Sequence, residues 1–369
     1  MSKAAVMVGQ NQPLVIRTDV EVEAPRAKEV KVRMGASGVC HSDLSMLNGT
    51  MFAMPPIVLG HEGAGVIEEV GEGVTSVSVG DHVVISWVPQ CGDCFFCNKD
   101  QGYLCENANA ALASGGLLDG TTRMTSEGAP LSQMAAAGTF SEVSIVPESG
   151  VVKIPDDLDM RIAALIGCGV LTGAGAAMNT ADIKPGDVVA VIGCGGVGLN
   201  VIQGARIKGA GEIIAIDMNE TKLQMAKEFG ATATINASQG DPVAQVMEMT
   251  GGHGADVSFE VIGLRPTIDQ AINMIRRGGQ AILVGVPKMD VMIEIPAFLG
   301  VVLNEKTIKG CWYGSSNVQK DVPKLIELYK SGELKLDELI SRTISIDEVN
   351  EAFEAMETGE VARSVISYS

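Results

Sequence analysis

VVAVIGCGGVGLNVIQGARIKGAGEIIAIDMNE, residues 188–220, reads as strand, glycine turn, helix, strand and acid. VVAVI is an unbroken apolar run, as a strand buried on both faces of a parallel sheet requires. Gly193, Gly195 and Gly198 follow with GxGxxG spacing, and Gly196 and Val197 complete the turn. GxGxxG alone is a weak signal. Here it sits between a strand and a helix, and Asp217 closes the next apolar run 19 residues after Gly198. That context is the dinucleotide-binding fingerprint. The glycines let the backbone turn and approach a pyrophosphate, and the helix N-terminus attracts the anion. Asp217 is placed to accept hydrogen bonds from the adenosine ribose and to repel a 2′-phosphate, so NAD is expected over NADP. An acid merely capping a turn is the plainer alternative.

The pattern continues outward from this unit. From 171 to 309 apolar strands alternate with helical stretches. EIIAID, ATINA, DVSFEVIG and QAILVGV read as strands, and TKLQMAKEFGA and PTIDQAINMIRRGG as helices. Such alternation predicts an α/β domain with a doubly wound parallel sheet. Residues 1 to about 165 are instead rich in β-branched residues and turn glycines, as in a mostly β domain. SIDE, 345–348, is a capping-box pattern opening the helix VNEAFEAME.

Half of the eight cysteines fall in one loop: Cys91, Cys94, Cys97 and Cys105. Disulfides suit an oxidising compartment. Ferredoxin-type clusters share the two short gaps but continue with three residues and Cys-Pro; here the last gap is seven and Glu106 follows. Four thiolates closing on one structural zinc is the reading that fits best. Cys40 in GVCHSDL, His61 in GHEGAGVIEEVGEGV and Cys168 in IGCGVLTG are each, alone, compatible with ordinary packing.

Bulk composition narrows the partners. A net charge of −18 disfavours nucleic acid. No run of 18 apolar residues predicts a membrane span, and MSKAAVMVGQ lacks the apolar region of a secretory leader, so a cytosolic protein with no membrane partner is expected.

Taken together and in order, GVCHSDL, GHEGAGVIEEVGEGV, the CxxCxxCx7C loop and IGCGVLTG resemble the zinc-dependent medium-chain alcohol dehydrogenase family over nearly the whole chain. The resemblance implies a GroES-like, mostly β catalytic domain at 1–170 and 310–369 and a Rossmann NAD-binding domain at 171–309. It implies two zinc ions per chain, the catalytic one on Cys40, His61 and Cys168, in a cleft between domains. Asp43 matches the acid that orients the histidine, and Glu62 an acid behind the metal. His41, Lys222 and Arg363 match cofactor contacts, the first and last at the pyrophosphate. Thr172, Val284, Gly285 and Val286 match positions that press on the nicotinamide. Ser42 matches the hydroxyl that passes the alcohol proton outward. Where many members then carry a histidine, this chain has Ser45.

By the same resemblance Met51, Trp87, Leu104, Met134, Ala135 and Trp312 line the substrate pocket. That lining suits a medium-size or aromatic primary alcohol, or its aldehyde, better than ethanol. The segment 106–139, with LLDGTTRM, resembles the long-loop class III branch of glutathione-dependent formaldehyde dehydrogenases. NGTMFAMPP lacks that branch's acids, and Asn109 stands where its arginine would be. A third reading is a nicotinoprotein that keeps NADH bound. A homodimer is expected from the long segment, tetramers being commoner among shortened members, with an interface near IPAFLGVVL, 295–303.

Overall fold

The computed structural model describes residues 1–358 and 363–368. The chain divides into two compact units. One comprises Met1–Gly169, Asn317–Ser331 and Leu336–Ser369; the other comprises Val170–Ser316 and Gly332–Lys335.

In the second unit VVAVI forms the strand Val188–Ile192, followed by the helix Gly196–Ile207 and the strand Glu212–Asp217. Six parallel strands make its sheet. Their order is Ala233–Asn236, Glu212–Asp217, Val188–Ile192, Ala255–Glu260, Ile275–Leu283 and Thr307–Gly310. The order reverses between Val188–Ile192 and Ala255–Glu260, so the carboxyl ends of those two strands flank the crevice where such sheets bind ligands. Ala190, Ile192, Ile214 and Ile216 are buried beneath the covering helices.

Three details differ from the sequence reading. MIRRGG is not helical: the helix Arg265–Asn273 stops first, because Ile275 opens a strand paired with Ala255. A helix at Pro242–Met249 was not anticipated, although Asp241 caps it through Val243 N at 2.9 Å and proline opens it. The unit also runs past residue 310 to Ser316. Thr180 Oγ1 and Ser315 Oγ lie 2.8 Å apart and Asn179 Nδ2 donates to Ser316 Oγ at 3.3 Å, which holds 311–316 to this unit.

The first unit is mostly β. Ser2–Met7, Val15–Val22, Met124–Ser126, Ala129–Gln133 and Ile57–Val58 close a small barrel. A seven-stranded sheet is centred on Glu29–Val39, which pairs with Glu62–Val70, Val143–Pro147 and Arg363–Ser367. The SIDE pattern forms its capping box: Glu348 Oε2 accepts from Ser345 N and Oγ, both at 2.8 Å.

Met160–Thr180 is long and apolar enough to cross a membrane, but 83% of its most apolar 18-residue stretch is buried inside the protein, as in a core helix. Within it Ile166–Val170 is π-helical. Such turns are rare and tend to mark functional positions; this one carries Cys168.

Candidate active site

Cys40 ends the long strand Glu29–Val39 and caps the helix His41–Leu47. Asp43, three residues on, accepts from Cys40 N at 3.0 Å and from Gly60 N at 3.1 Å. The Asp43 oxygen that meets Gly60 also lies 3.1 Å from His61 Nδ1. A carboxylate there fixes the tautomer with the proton on Nδ1 and turns Nε2 toward the thiols. His61 follows the Gly60 turn and Cys168 comes from the π-helical turn. Ligand atoms of Cys40, His61, Glu62 and Cys168 all fall within 4.8 Å of one another, and all four residues are buried.

This cluster is electrostatically primed. Cys40 faces Cys168, and the hydrogen bond from Cys168 holds the Cys40 thiol well below its ordinary range despite burial, with Arg363 and His61 adding to it. Cys168 is correspondingly pushed up. Burial works against charge on His61, but Asp43 and Cys40 outweigh it. Two buried thiols and an oriented imidazole are a soft, tetrahedral donor set that suits Zn²⁺.

Glu62 lies behind that set. Burial pushes its carboxyl up to about 7, against the pull of Arg363. Oε1 accepts from Arg363 Nη2 at 2.8 Å and from Gly169 N at 3.2 Å, while Oε2 is buried without a partner among the described residues. Arg363, expected at a pyrophosphate, is therefore buried against Glu62 and the Val39 carbonyl in this structure. A desolvated carboxylate captures the nearest cation. Gly38 and Gly169 make room: a methyl on Gly38 would stand 2.1 Å from Glu62 Oε2, and one on Gly169 would stand 1.7 Å from Arg363 Nη2. Both glycines fall inside GVCHSDL and IGCGVLTG, each within two residues of a ligand cysteine, but nothing in the sequence alone pointed to this role.

The four-cysteine loop gathers Cys91, Cys94, Cys97 and Cys105 with sulfurs within 4.8 Å of one another. Cys91 and Cys97 sulfurs are 3.9 Å apart and unbridged. A tetrahedral site with Zn–S bonds of about 2.3 Å has an edge of about 3.8 Å, so the spacing suits a closed zinc site. Backbone N–H groups aimed at the sulfurs, from Cys91 to Cys105 at 3.3 Å and from Cys97 to Cys94 at 3.5 Å, favour thiolates. The Cys97 and Glu106 amides bring Cys94 down to about 6.

In the other unit the glycine turn has the predicted form. Gly193 has φ +98, and a methyl on Gly198 would stand 1.8 Å from the Gly193 carbonyl oxygen. Gly195 faces open space, with no atom within 4 Å of a Cβ placed there. No side chain caps the helix that begins at Gly196, so its N–H groups are available to an anion. Asp217 ends its strand with Oδ2 on Cys194 N and Oδ1 on Asn219 N, each at 2.9 Å.

Two family models match, zinc-binding dehydrogenase over residues 196–331 and the alcohol dehydrogenase GroES-like domain over 26–156. The NDMA-dependent alcohol dehydrogenase of Amycolatopsis methanolica is 39% identical over all of this chain and 99% of its own length. The chain belongs to the zinc-dependent medium-chain alcohol dehydrogenases. It is an NAD-dependent zinc oxidoreductase of that family, with the GroES-like and Rossmann architecture expected. S-(hydroxymethyl)glutathione dehydrogenase of Haemophilus influenzae is 40% identical, covering 100% of this chain and 97% of that protein. Benzyl alcohol dehydrogenase of Acinetobacter calcoaceticus superposes with a TM-score of 0.94 at 31% identity, covering 100% and 99% of the two chains.

As an alcohol dehydrogenase the chain needs a proton exit and a substrate wall. Ser42 Oγ lies 3.8 Å from the Cys40 sulfur. Trp87 meets the His61 ring edge-on, with centroids 6.3 Å apart and planes at 88°. Met51, Trp87, Met134 and Ala135 share one apolar cluster. Leu104 is half-buried outside it. Trp312, Thr172, Val284, Val286 and Lys222 belong to the other unit, while His41 is exposed in the first.

Proposed function

We propose that this enzyme reversibly oxidises medium-size or aromatic primary alcohols to aldehydes with NAD. The observation that carries this reading is Trp87. Its indole stands edge-on to His61 and packs against the apolar cluster that includes Met134 and Ala135 and that Met51 also joins, so apolar side chains lie beside the proposed metal ligands. Cys40, His61 and Cys168 would hold the catalytic zinc, with Asp43 orienting His61, and Cys91, Cys94, Cys97 and Cys105 would hold the structural one. When bound, zinc supplies Lewis acidity toward the alcohol oxygen and NAD supplies the hydride acceptor. Ser42 accepts the alcohol proton and passes it outward. Ser45 cannot act as a base near neutral pH, so water completes the exit. The apolar wall excludes bulk water and orients the carbinol carbon.

A panel of primary alcohols followed by NADH absorbance tests this. A buried methylene is worth about 0.8 kcal/mol, so benzyl alcohol should exceed ethanol in kcat/KM by roughly 100-fold. Equal efficiency would overturn the substrate reading and leave the family assignment intact. The full-length similarity to an NDMA-dependent alcohol dehydrogenase supports a second reading, in which NADH stays bound and an external acceptor recycles it. Cofactor surviving gel filtration would favour that reading.

Asp217 underlies the choice of NAD. Asp217→Gly should narrow the NAD over NADP preference by roughly 10- to 100-fold, because it removes charge-assisted hydrogen bonds and a repulsive charge. Wild-type kcat/KM values equal for the two cofactors would refute the assignment.

We further propose a homodimer through residues 295–303. There Phe298, Leu299, Val302 and Leu303 are 63, 62, 68 and 49% exposed, an apolar strip that a second copy would cover. Light scattering at the mass of a monomer would refute it.

A further inference from the structure

Glu260 ends the strand Ala255–Glu260, beside Val188–Ile192 at the point where the sheet order reverses. It is fully buried, unlike Asp256, the other acid of that strand. Its Oε1 accepts from Ile262 N at 2.9 Å, Gly263 N at 2.8 Å and Thr267 Oγ1 at 2.7 Å. Its backbone carbonyl accepts from Val284 N at 2.8 Å and Gly285 N at 3.0 Å. One residue thus fastens two loops that are distant in sequence. Its second oxygen, Oε2, is buried without a hydrogen-bond partner among the described residues, and a methyl on Gly285 would stand 2.7 Å from it.

The two fastened loops also meet each other and the glycine turn. Gly263 has φ +88, and a methyl there would stand 2.5 Å from Val286 backbone atoms. A methyl on Gly193 would stand 2.7 Å from Ile262 Cγ1. Ile262 and Val286 nonetheless remain 43 and 44% exposed. The arrangement therefore offers two apolar side chains to the crevice, one from each loop, with the Glu260 carboxylate wedged beneath. A planar heterocycle needs apolar faces of this kind, held at a fixed spacing. A buried carboxylate oxygen without a donor works against stability, so such an exception in a native fold calls for an explanation. Preorganisation of a binding surface is one.

We infer that Glu260 is a positioning residue for the dinucleotide: it sets the spacing of the 261–263 and 284–286 loops through hydrogen bonds and does not touch the reacting atoms. The inference rests on the NAD reading above. Glu260→Ala frees the 261–263 loop and removes the carboxylate wedged beside Gly285, while the backbone carbonyl at 260 still accepts from Val284 N and Gly285 N. Glu260→Gln keeps a carbonyl oxygen in the Oε1 position and should retain the spacing. Thr267→Val removes only one of the three Oε1 contacts.

The experiment measures NADH binding by fluorescence titration and steady-state kinetics on zinc-loaded full-length protein, with thermal unfolding alongside. Wild-type protein should bind NADH; if it does not, the NAD reading itself fails. Given wild-type binding, Glu260→Ala should raise the NADH Kd and the KM for NAD by roughly 10- to 100-fold, the range seen when supporting contacts around a site are removed. The KM for alcohol should change less than about threefold. Glu260→Gln should stay within about threefold of wild type in all constants, and Thr267→Val should weaken NADH severalfold. The inference is overturned if Glu260→Ala binds NADH as wild type does, if Glu260→Gln is as impaired as Glu260→Ala, or if alcohol and cofactor constants shift in parallel. If Glu260→Ala does not fold, Thr267→Val decides alone, and an unchanged NADH Kd in that variant overturns the inference.

Discussion

Cys168→Ala protein is expected to contain one zinc per chain where the wild type contains two, and to lose alcohol oxidation by roughly 10³- to 10⁴-fold. The expected loss follows from removing several kcal/mol of Lewis-acid assistance. Cys168 belongs to one donor set with Cys40, His61 and Glu62, and among the described residues no further cysteine joins that set. The stability cost should be small, because the site is framed by Asp43 and by the Glu62–Arg363 pair, which survive the change. Cys94→Ser should separate the two metals. It should also leave one zinc, but turnover per folded molecule should persist while the loop 91–105 loses its anchor and thermal stability falls. Metal analysis with activity per retained catalytic zinc reads both variants. Wild-type protein with fewer than two zinc ions, or Cys168→Ala protein with near-normal turnover, would refute the assignment.

How much of this could be read from the chain differs by kind of feature. The four-cysteine loop stood out by its spacing, whereas Cys40, His61 and Cys168 were joined only by the family resemblance; the structure brings each group together as a set that could hold a metal. The dinucleotide turn was legible because three requirements, strand, glycine spacing and terminal acid, fall within 33 residues. What escaped the reading were buried charges. Glu260, Glu29 and Arg123 look in sequence like any surface charge, since burial comes from partners far along the chain. Arg123 and Glu29 are 94 residues apart. Backbone conformation escaped for a related reason. Ala135 and Ala136 have φ of 54 and 53, where glycine would be expected. Only the packing around them, including Gln133 Nε2 on the Ala137 and Ile145 carbonyls at 3.3 and 3.1 Å, accounts for that choice. The helix end at Asn273 is a third case, in which strand pairing overrode a good helical pattern.

Arg123→Met is expected to destabilise the protein by about 3–5 kcal/mol, the cost of leaving a buried ion-pair partner uncompensated. Arg123 lies in the segment 106–139, and its side chain is completely enclosed. Nε and Nη2 grip both oxygens of Glu29 at 2.9 and 2.5 Å, Nη2 also reaches Asp119 at 2.6 Å, and Nη1 donates to the Thr122 carbonyl at 3.1 Å. The clamp fastens the start of the hairpin Met124–Ser126 and Ala129–Gln133 to the central strand at Glu29. That hairpin leads directly into Met134 and Ala135 of the proposed substrate wall. Methionine fills similar volume but leaves Glu29, 7% exposed, with Arg26 N as its remaining donor. Adding Glu29→Gln should therefore restore a good part of the loss, because the uncompensated charge is then gone. Acid should reveal the same clamp. Burial opposes charge on Asp119, but hydrogen bonds from Arg123 and Thr121 outweigh it and hold the carboxyl down at about 2. Its contribution is thus present above its ordinary value of 3.8 and fades as pH falls through 2, weakened throughout by the solvent that reaches its 43% exposed side chain. Urea unfolding of the single and double variants at pH 7 measures the coupling. Arg123→Met within 1 kcal/mol of wild type, or a double variant no better than the single, would show that the clamp is replaceable and that the loop is held by its apolar contacts alone.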